Sequence, residues 1–95
     1  MSVMYGIAVD YSENDHPYVG MVAFHTKEQA LKHARELAQY YAERYAKDQT
    51  PTIEPIKSLV VDMDTQKTSQ RIDGYRGTWH GQSITCTVNP IRHIE

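Results

Sequence analysis

Apolar and polar positions recur with two different periods along this chain, and the switches between them mark its elements. Val3, Tyr5, Ile7 and Val9 alternate with Met4, Gly6, Ala8 and Asp10, the period-two pattern of a strand with both faces apolar until Asp10. Residues 11–17 are polar, rich in turn formers and closed by Pro17, so they read as a hairpin loop. Residues 18–24 return as a second strand, antiparallel to the first.

The period then lengthens. Thr26 with Gln29 three residues on is a capping-box pattern, and Ala30, Leu31, Ala34, Leu37, Ala38, Tyr41, Ala42 and Tyr45 fall on one helical face. The spacing predicts a helix from Thr26 to about Lys47, stopped by the sequence leading to Pro51. Alanine dominates the first half of this face and tyrosine the second. A close approach to the sheet is expected near Ala30 and Ala34, and a wider one near Tyr41 and Tyr45.

Three further strands are predicted. Residues 56–63 carry Leu59, Val60 and Val61 as a buried middle, residues 64–67 form a turn, and residues 68–73 are polar enough to lie at a sheet edge. Ile84, Cys86 and Val88 face inward on a strand over 83–88, with Ser83, Thr85 and Thr87 outward, and residues 74–81 link the last two strands. The tail from Ile91 either docks or frays. The expectation is one α+β domain over residues 1–95, in the order β-β-α-β-β-β. One long amphipathic helix covers one face of an antiparallel sheet, and the other face is either polar or hidden by a partner.

Composition sharpens this. Ile, Leu, Val and Phe supply 18 of 95 residues, a thin core for a chain whose net charge of -2 is too small to mark disorder. A homodimer would supplement that core. Seven tyrosines against one phenylalanine put hydroxyls on most of the aromatic area, which suits a rim or an interface. The single cysteine excludes an internal disulfide, and the first ten residues have neither a basic leader nor a membrane-length apolar run. A cytoplasmic protein is the natural reading.

The chemical motifs are sparse. Asp10-x-Ser12-x-Asn14 opens like a calcium loop, but Asp15 and Met21 stand where the turn glycine and the bidentate glutamate belong. The five histidines form no close ligand pair, so no metal and no cofactor is expected. Cys86 reads as a small core residue, Asp62 and Asp64 as a solvated strand end, and the glycines after Asp73 open no helix that could cradle phosphate. No catalytic residue is assigned.

Two stretches suit a partner instead. Tyr75, Arg76, Trp79 and His80 combine aromatic rings with a guanidinium, the chemistry of protein hot spots and of base stacking, while Trp79 could equally complete the core. His33, Glu36, Tyr40 and Arg44 form a stripe on the helix opposite its buried face.

The initial hairpin, the helix beginning Thr26-Lys-Glu-Gln-Ala-Leu-Lys-His-Ala and the short polar strands after it resemble the organisation of small phage and mobile-element proteins, including anti-CRISPR inhibitors. That resemblance implies a non-catalytic protein that occupies a surface of a larger complex, such as a host defence complex, and it assigns no individual residue. The expected function is therefore protein-protein contact. The competing readings are a nucleic-acid module built on Arg76 to His80, for which no basic patch exists, and a small enzyme or ligand-binding domain with a site at a dimer interface.

Overall fold

A computed structural model describes residues 2–11, 18–19 and 23–93. Strand β1 (Ser2–Tyr11) is followed by a two-residue strand β2 (Tyr18–Val19), helix α1 (Lys27–Ala46), and strands β3 (Thr52–Val61), β4 (Thr68–Trp79) and β5 (Gln82–His93). The strands form one antiparallel sheet in the order β2-β1-β5-β4-β3, with α1 on one face. The α+β class is as expected. Of the second strand expected over 18–24, Tyr18 and Val19 pair with β1, and Phe24 adds an isolated bridge to Tyr5. Tyr11, expected to open a loop over 11–17, instead closes β1 opposite Ile84; residues 12–17 and the middle of the 18–24 strand lie outside the described residues.

Thr26 caps the helix as its pattern predicts, its hydroxyl accepting the Gln29 N–H at 3.2 Å. The buried face of α1 is narrower than the pattern suggested. Ala30, Ala34, Ala38, Ala42 and Ala46, four residues apart, are its buried residues. Leu31, Leu37 and Tyr41 flank this row half-buried. The helix therefore lies close to the sheet along its whole length, including its C-terminal half, where tyrosine was expected to hold it off. Gly77 makes this possible: a Cβ there would sit 2.6 Å from the Ala42 Cβ.

Beneath the alanine row, Ile7 and Val9 of β1, Ile84, Cys86 and Val88 of β5 and Trp79 of β4 complete the core. Register aligns them in rows, with Ile7 opposite Val88, Val9 opposite Cys86 and Gly77 opposite Ile84. The inward set predicted for residues 84–88 is the one observed.

The long β3–β4 hairpin departs most from the sequence pattern. Residues 68–73 of β4 pair only with β3, while residues 89–93 of β5 pair only with β1. The sheet thus forks beyond Gly74 and Thr87, and the outer part of the hairpin becomes a two-stranded arm. Leu59, Val60 and Val61, expected in the core, are 72%, 37% and 53% exposed there, beyond the reach of the helix. Residues 68–73, expected at a sheet edge, are paired on one side only, as expected; β4 becomes an inner strand, between β3 and β5, from Gly74 onward, and β2 and β3 are the outer strands. A register shift between Ile56 and Lys57 leaves Asp73 as the extra β4 residue, a bulge at the root of the arm. There the Ser58 hydroxyl and Arg71 Nε each donate to the Asp73 carboxylate at 2.7 Å. The radius of gyration, 14.9 Å, exceeds the roughly 12 Å of a compact chain this long, as a projecting arm requires.

Candidate functional site

The two stretches that the sequence marks as partner surfaces are divided by strand alternation and helix rise. Side chains one apart on β4 point to opposite faces. Tyr75 and Trp79 therefore turn toward α1 and pack in or against the core, whereas Arg76 turns to the face that the helix leaves uncovered. Trp79 is only 6% exposed, so its ring serves the core. On the helix, His33 and Glu36 pair at 3.9 Å and the His33 ring packs on Phe24, about 10 Å of helix rise away from Tyr40. Tyr40 and Arg44 form a separate group, with the Arg44 guanidinium donating to the Tyr40 hydroxyl at 3.3 Å.

This second group joins a run of aromatic rings. Trp79 lies 6.0 Å from Tyr11 between ring centres, Tyr11 lies 4.5 Å from Tyr45, Tyr45 lies 6.3 Å from Tyr41 in a stacked arrangement, and Tyr41 lies 5.3 Å edge-on from Tyr40. The run begins in the core and ends in solvent. Tyr45 is 40% exposed and Tyr40 55%.

Local structure dictates the placement of each ring. Tyr11 ends β1 on the inward register of Ile7 and Val9, opposite Ile84. Trp79 ends β4 at a tight turn, where His80 and Gly81 both adopt positive φ, 39° and 78°, as two-residue hairpins demand. Gln82, across the turn, accepts from the Trp79 indole N–H at 3.0 Å and from the Tyr11 hydroxyl at 3.5 Å, so the polar ends of both rings share one carbonyl oxygen. Tyr41 and Tyr45 sit one turn apart on the flank of the alanine row.

Beside the inner part of this run, at Trp79, Tyr11 and Tyr45, opens a cleft of about 590 Å³ lined also by Arg44, Lys47 and His80, with no carboxylate among the described residues that line it. The fold thus brings together Arg44 from one predicted stretch and Trp79 and His80 from the other. Tyr11, Tyr45 and Lys47 are members that the sequence reading missed. Tyr45 was assigned to the buried helical face, but the narrow alanine contact pushes it outward. The signal was present in the tyrosine excess at the helix end, although its meaning depended on how closely the helix approaches the sheet.

Among the described residues, no three His, Cys, Asp or Glu side chains cluster as metal ligands would. Cys86 is fully buried, and burial pushes its thiol up to about 12, so at neutral pH it is a neutral packing group. Asp62 and Asp64 shape the turn at the end of the arm, where the Asp64 N–H donates to the Asp62 carboxylate at 2.9 Å. No helix is long and apolar enough to cross a membrane.

The fold and this cleft define a small α+β domain with an aromatic and basic surface at one end of its helix. No protein-family model, curated protein or solved structure matches the chain.

Proposed function

We propose that the protein is a non-catalytic binding module that acts by protein-protein contact through the cleft at the C-terminal end of α1. The observation that carries this reading is the aromatic run from buried Trp79 to exposed Tyr40, with Arg44 bonded to its outermost ring. Tyrosine, tryptophan and arginine dominate interface hot spots because they offer large contact area for little lost rotamer entropy and retain a polar handle. Here the inner rings are anchored by the core and Gln82, so the outer rings are positioned before any partner arrives. Arg44, Lys47 and the carboxylate-free lining favour a partner surface that carries acidic groups around an apolar centre. In the phage-inhibitor setting that the chain's organisation resembles, that partner is a component of a host defence complex.

The test compares the wild-type chain with a Tyr40→Ala, Arg44→Ala, Tyr45→Ala variant in capture from host lysate, with thermal melting of both. A partner retained by the wild type, lost by an equally stable variant and weakened by salt supports the reading. Equal capture by both proteins, or none by either, overturns it. If the wild type itself elutes as a dimer and the variant as a monomer, the partner is a second copy of the chain.

A further inference from the structure

The sheet face opposite α1 is covered by no described element, and its composition is unusual for an uncovered face. Cross-strand register sets Thr52, Thr78 and Ser83 in one row over β3, β4 and β5, and Glu54, Arg76, Thr85 and Asp10 in the next over β3, β4, β5 and β1. A cleft of about 790 Å³ lies over the first row and reaches Arg76 and Thr85 in the second. Its lining includes five Ser or Thr residues, two glutamines, Arg76 and His80, and among the described residues no Asp or Glu. Glu54 and Asp10 occupy the same face but lie outside the lining.

Arg76 lines this cleft, half-buried between its strand neighbours Glu54 and Thr85. Although Glu54 is its direct cross-strand partner, the two form no salt bridge, and the described residues place no carboxylate within ion-pairing distance of the guanidinium. Among the described residues, then, this half-buried cation faces hydroxyls, amides and the His80 imidazole but no matching carboxylate. A planar fork of N–H donors in a hydroxyl-lined cleft is suited to a tetrahedral oxyanion, which presents more acceptor oxygens than a carboxylate and can engage several donors at once. The cleft is also larger than a bare anion needs and falls within the size range of small-molecule sites.

We infer that this face binds the phosphate group of a small phosphorylated molecule, with Arg76 taking the phosphate and the hydroxyls of Thr52 and Thr78 completing its shell, while the Thr85 hydroxyl donates to the Asp10 carbonyl at 3.4 Å. The site adjoins the aromatic cleft, with which it shares Gln49, Trp79, His80 and Gln82, but Arg76 and the threonines face away from α1. It gives Arg76 a role of its own once strand alternation has separated it from Tyr75 and Trp79.

The experiment is an amide NMR titration of the full chain with inorganic phosphate and with glycerol 3-phosphate, against sodium acetate and sodium chloride at matched ionic strength. The expected result is saturable shifts at Thr52, Thr78, Ser83 and Thr85 with both phosphate probes, tighter for the monoester. Arg76→Gln should weaken binding about tenfold or more, the scale of a lost charged hydrogen bond, and Arg76→Lys should restore only part of it. Thr78→Val, which keeps the shape and strand preference of the residue, provides a second variant that leaves the charge in place and should weaken binding less. Shifts equal with acetate or chloride, shifts that map elsewhere, or titrations unchanged in folded Arg76→Gln would each overturn the proposal.

Discussion

Gly77 on β4 and Ala42 on α1 meet so closely that a methyl group on the glycine would stand 2.6 Å from the alanine Cβ. The same position is bounded by Ile53 Cδ1 at 3.1 Å, so neither layer has room to yield easily. Gly77→Ala should therefore destabilise the fold by about 1–3 kcal/mol, the cost of overpacking, despite its better strand propensity. Urea denaturation followed by circular dichroism measures this, and an unchanged midpoint would show that the helix can move away from the sheet.

Trp79 and Tyr40 mark the two ends of the aromatic run, and their substitutions should separate stability from binding. Trp79→Ala removes a large core side chain and should cost roughly 3–5 kcal/mol. Tyr40→Ala, more than half exposed, should leave stability within about 0.5 kcal/mol while weakening partner capture. Equilibrium unfolding of both variants checks the first half of this statement, and Trp79, the single tryptophan, supplies the fluorescence signal for Tyr40→Ala.

On the projecting arm the expectation reverses the usual rule for large apolar residues. Leu59 and Met63 are 72% and 85% exposed, so Leu59→Ser and Met63→Ser should each change stability by no more than about 0.5 kcal/mol. A loss of about 2 kcal/mol or more in the denaturation midpoint would mean that the arm is packed in solution.

The Cys86 thiol gives stability a pH dependence at the alkaline end. Below its ordinary value of 9.0 the thiol is neutral in both the folded and the unfolded chain, so its burial carries no charge penalty. Between 9.0 and about 12 the unfolded chain ionises while the folded chain does not, and stability falls across that window. Thermal melts over this range should show a steeper decline for the wild type than for Cys86→Ala. An aromatic disulfide reagent should label the thiol only after denaturant is added.

At the bulge the sign is opposite. The hydrogen bond from Ser58 is the largest influence on the Asp73 carboxyl; desolvation comes next and opposes it, and the hydrogen bond and charge of Arg71, with the charge of Lys27, help to hold it below its ordinary 3.8. The stabilisation is present above 3.8 and is lost as pH falls through the lowered folded value. A carbon-detected NMR titration should find the Asp73 midpoint displaced upward in Ser58→Ala. An unmoved midpoint would place the cause elsewhere.

How far the chain could be read depended on whether one element's own pattern contained the answer. The helix from its Thr26 cap to Ala46 and the inward trio Ile84, Cys86 and Val88 are local periodicities, and the structure reproduces both. Leu59, Val60 and Val61 failed because an apolar run specifies burial only where another layer can reach it, and α1 does not extend over the arm. The grouping of Arg44 with Trp79 and His80 was equally illegible, since it arises where the end of a helix meets the turn of a hairpin more than thirty residues away in sequence. The continuation of β4 through Gly74 and Gly77 ran against strand propensity. Those glycines lie within a strand, and at Gly77 the close approach of α1 requires the missing side chain.

The forked sheet has a consequence for how the chain can be altered. Residues 63–66 close the far end of the arm, away from the alanine row and from both clefts, and the turn is held by backbone bonds between Asp62 and its neighbours Gln66 and Lys67. Such a remote tip is where a polypeptide accepts interruption, whether by a grafted loop, a reporter sequence or relocated chain ends. The arm thus serves as a handle on which the rest of the domain can be carried intact.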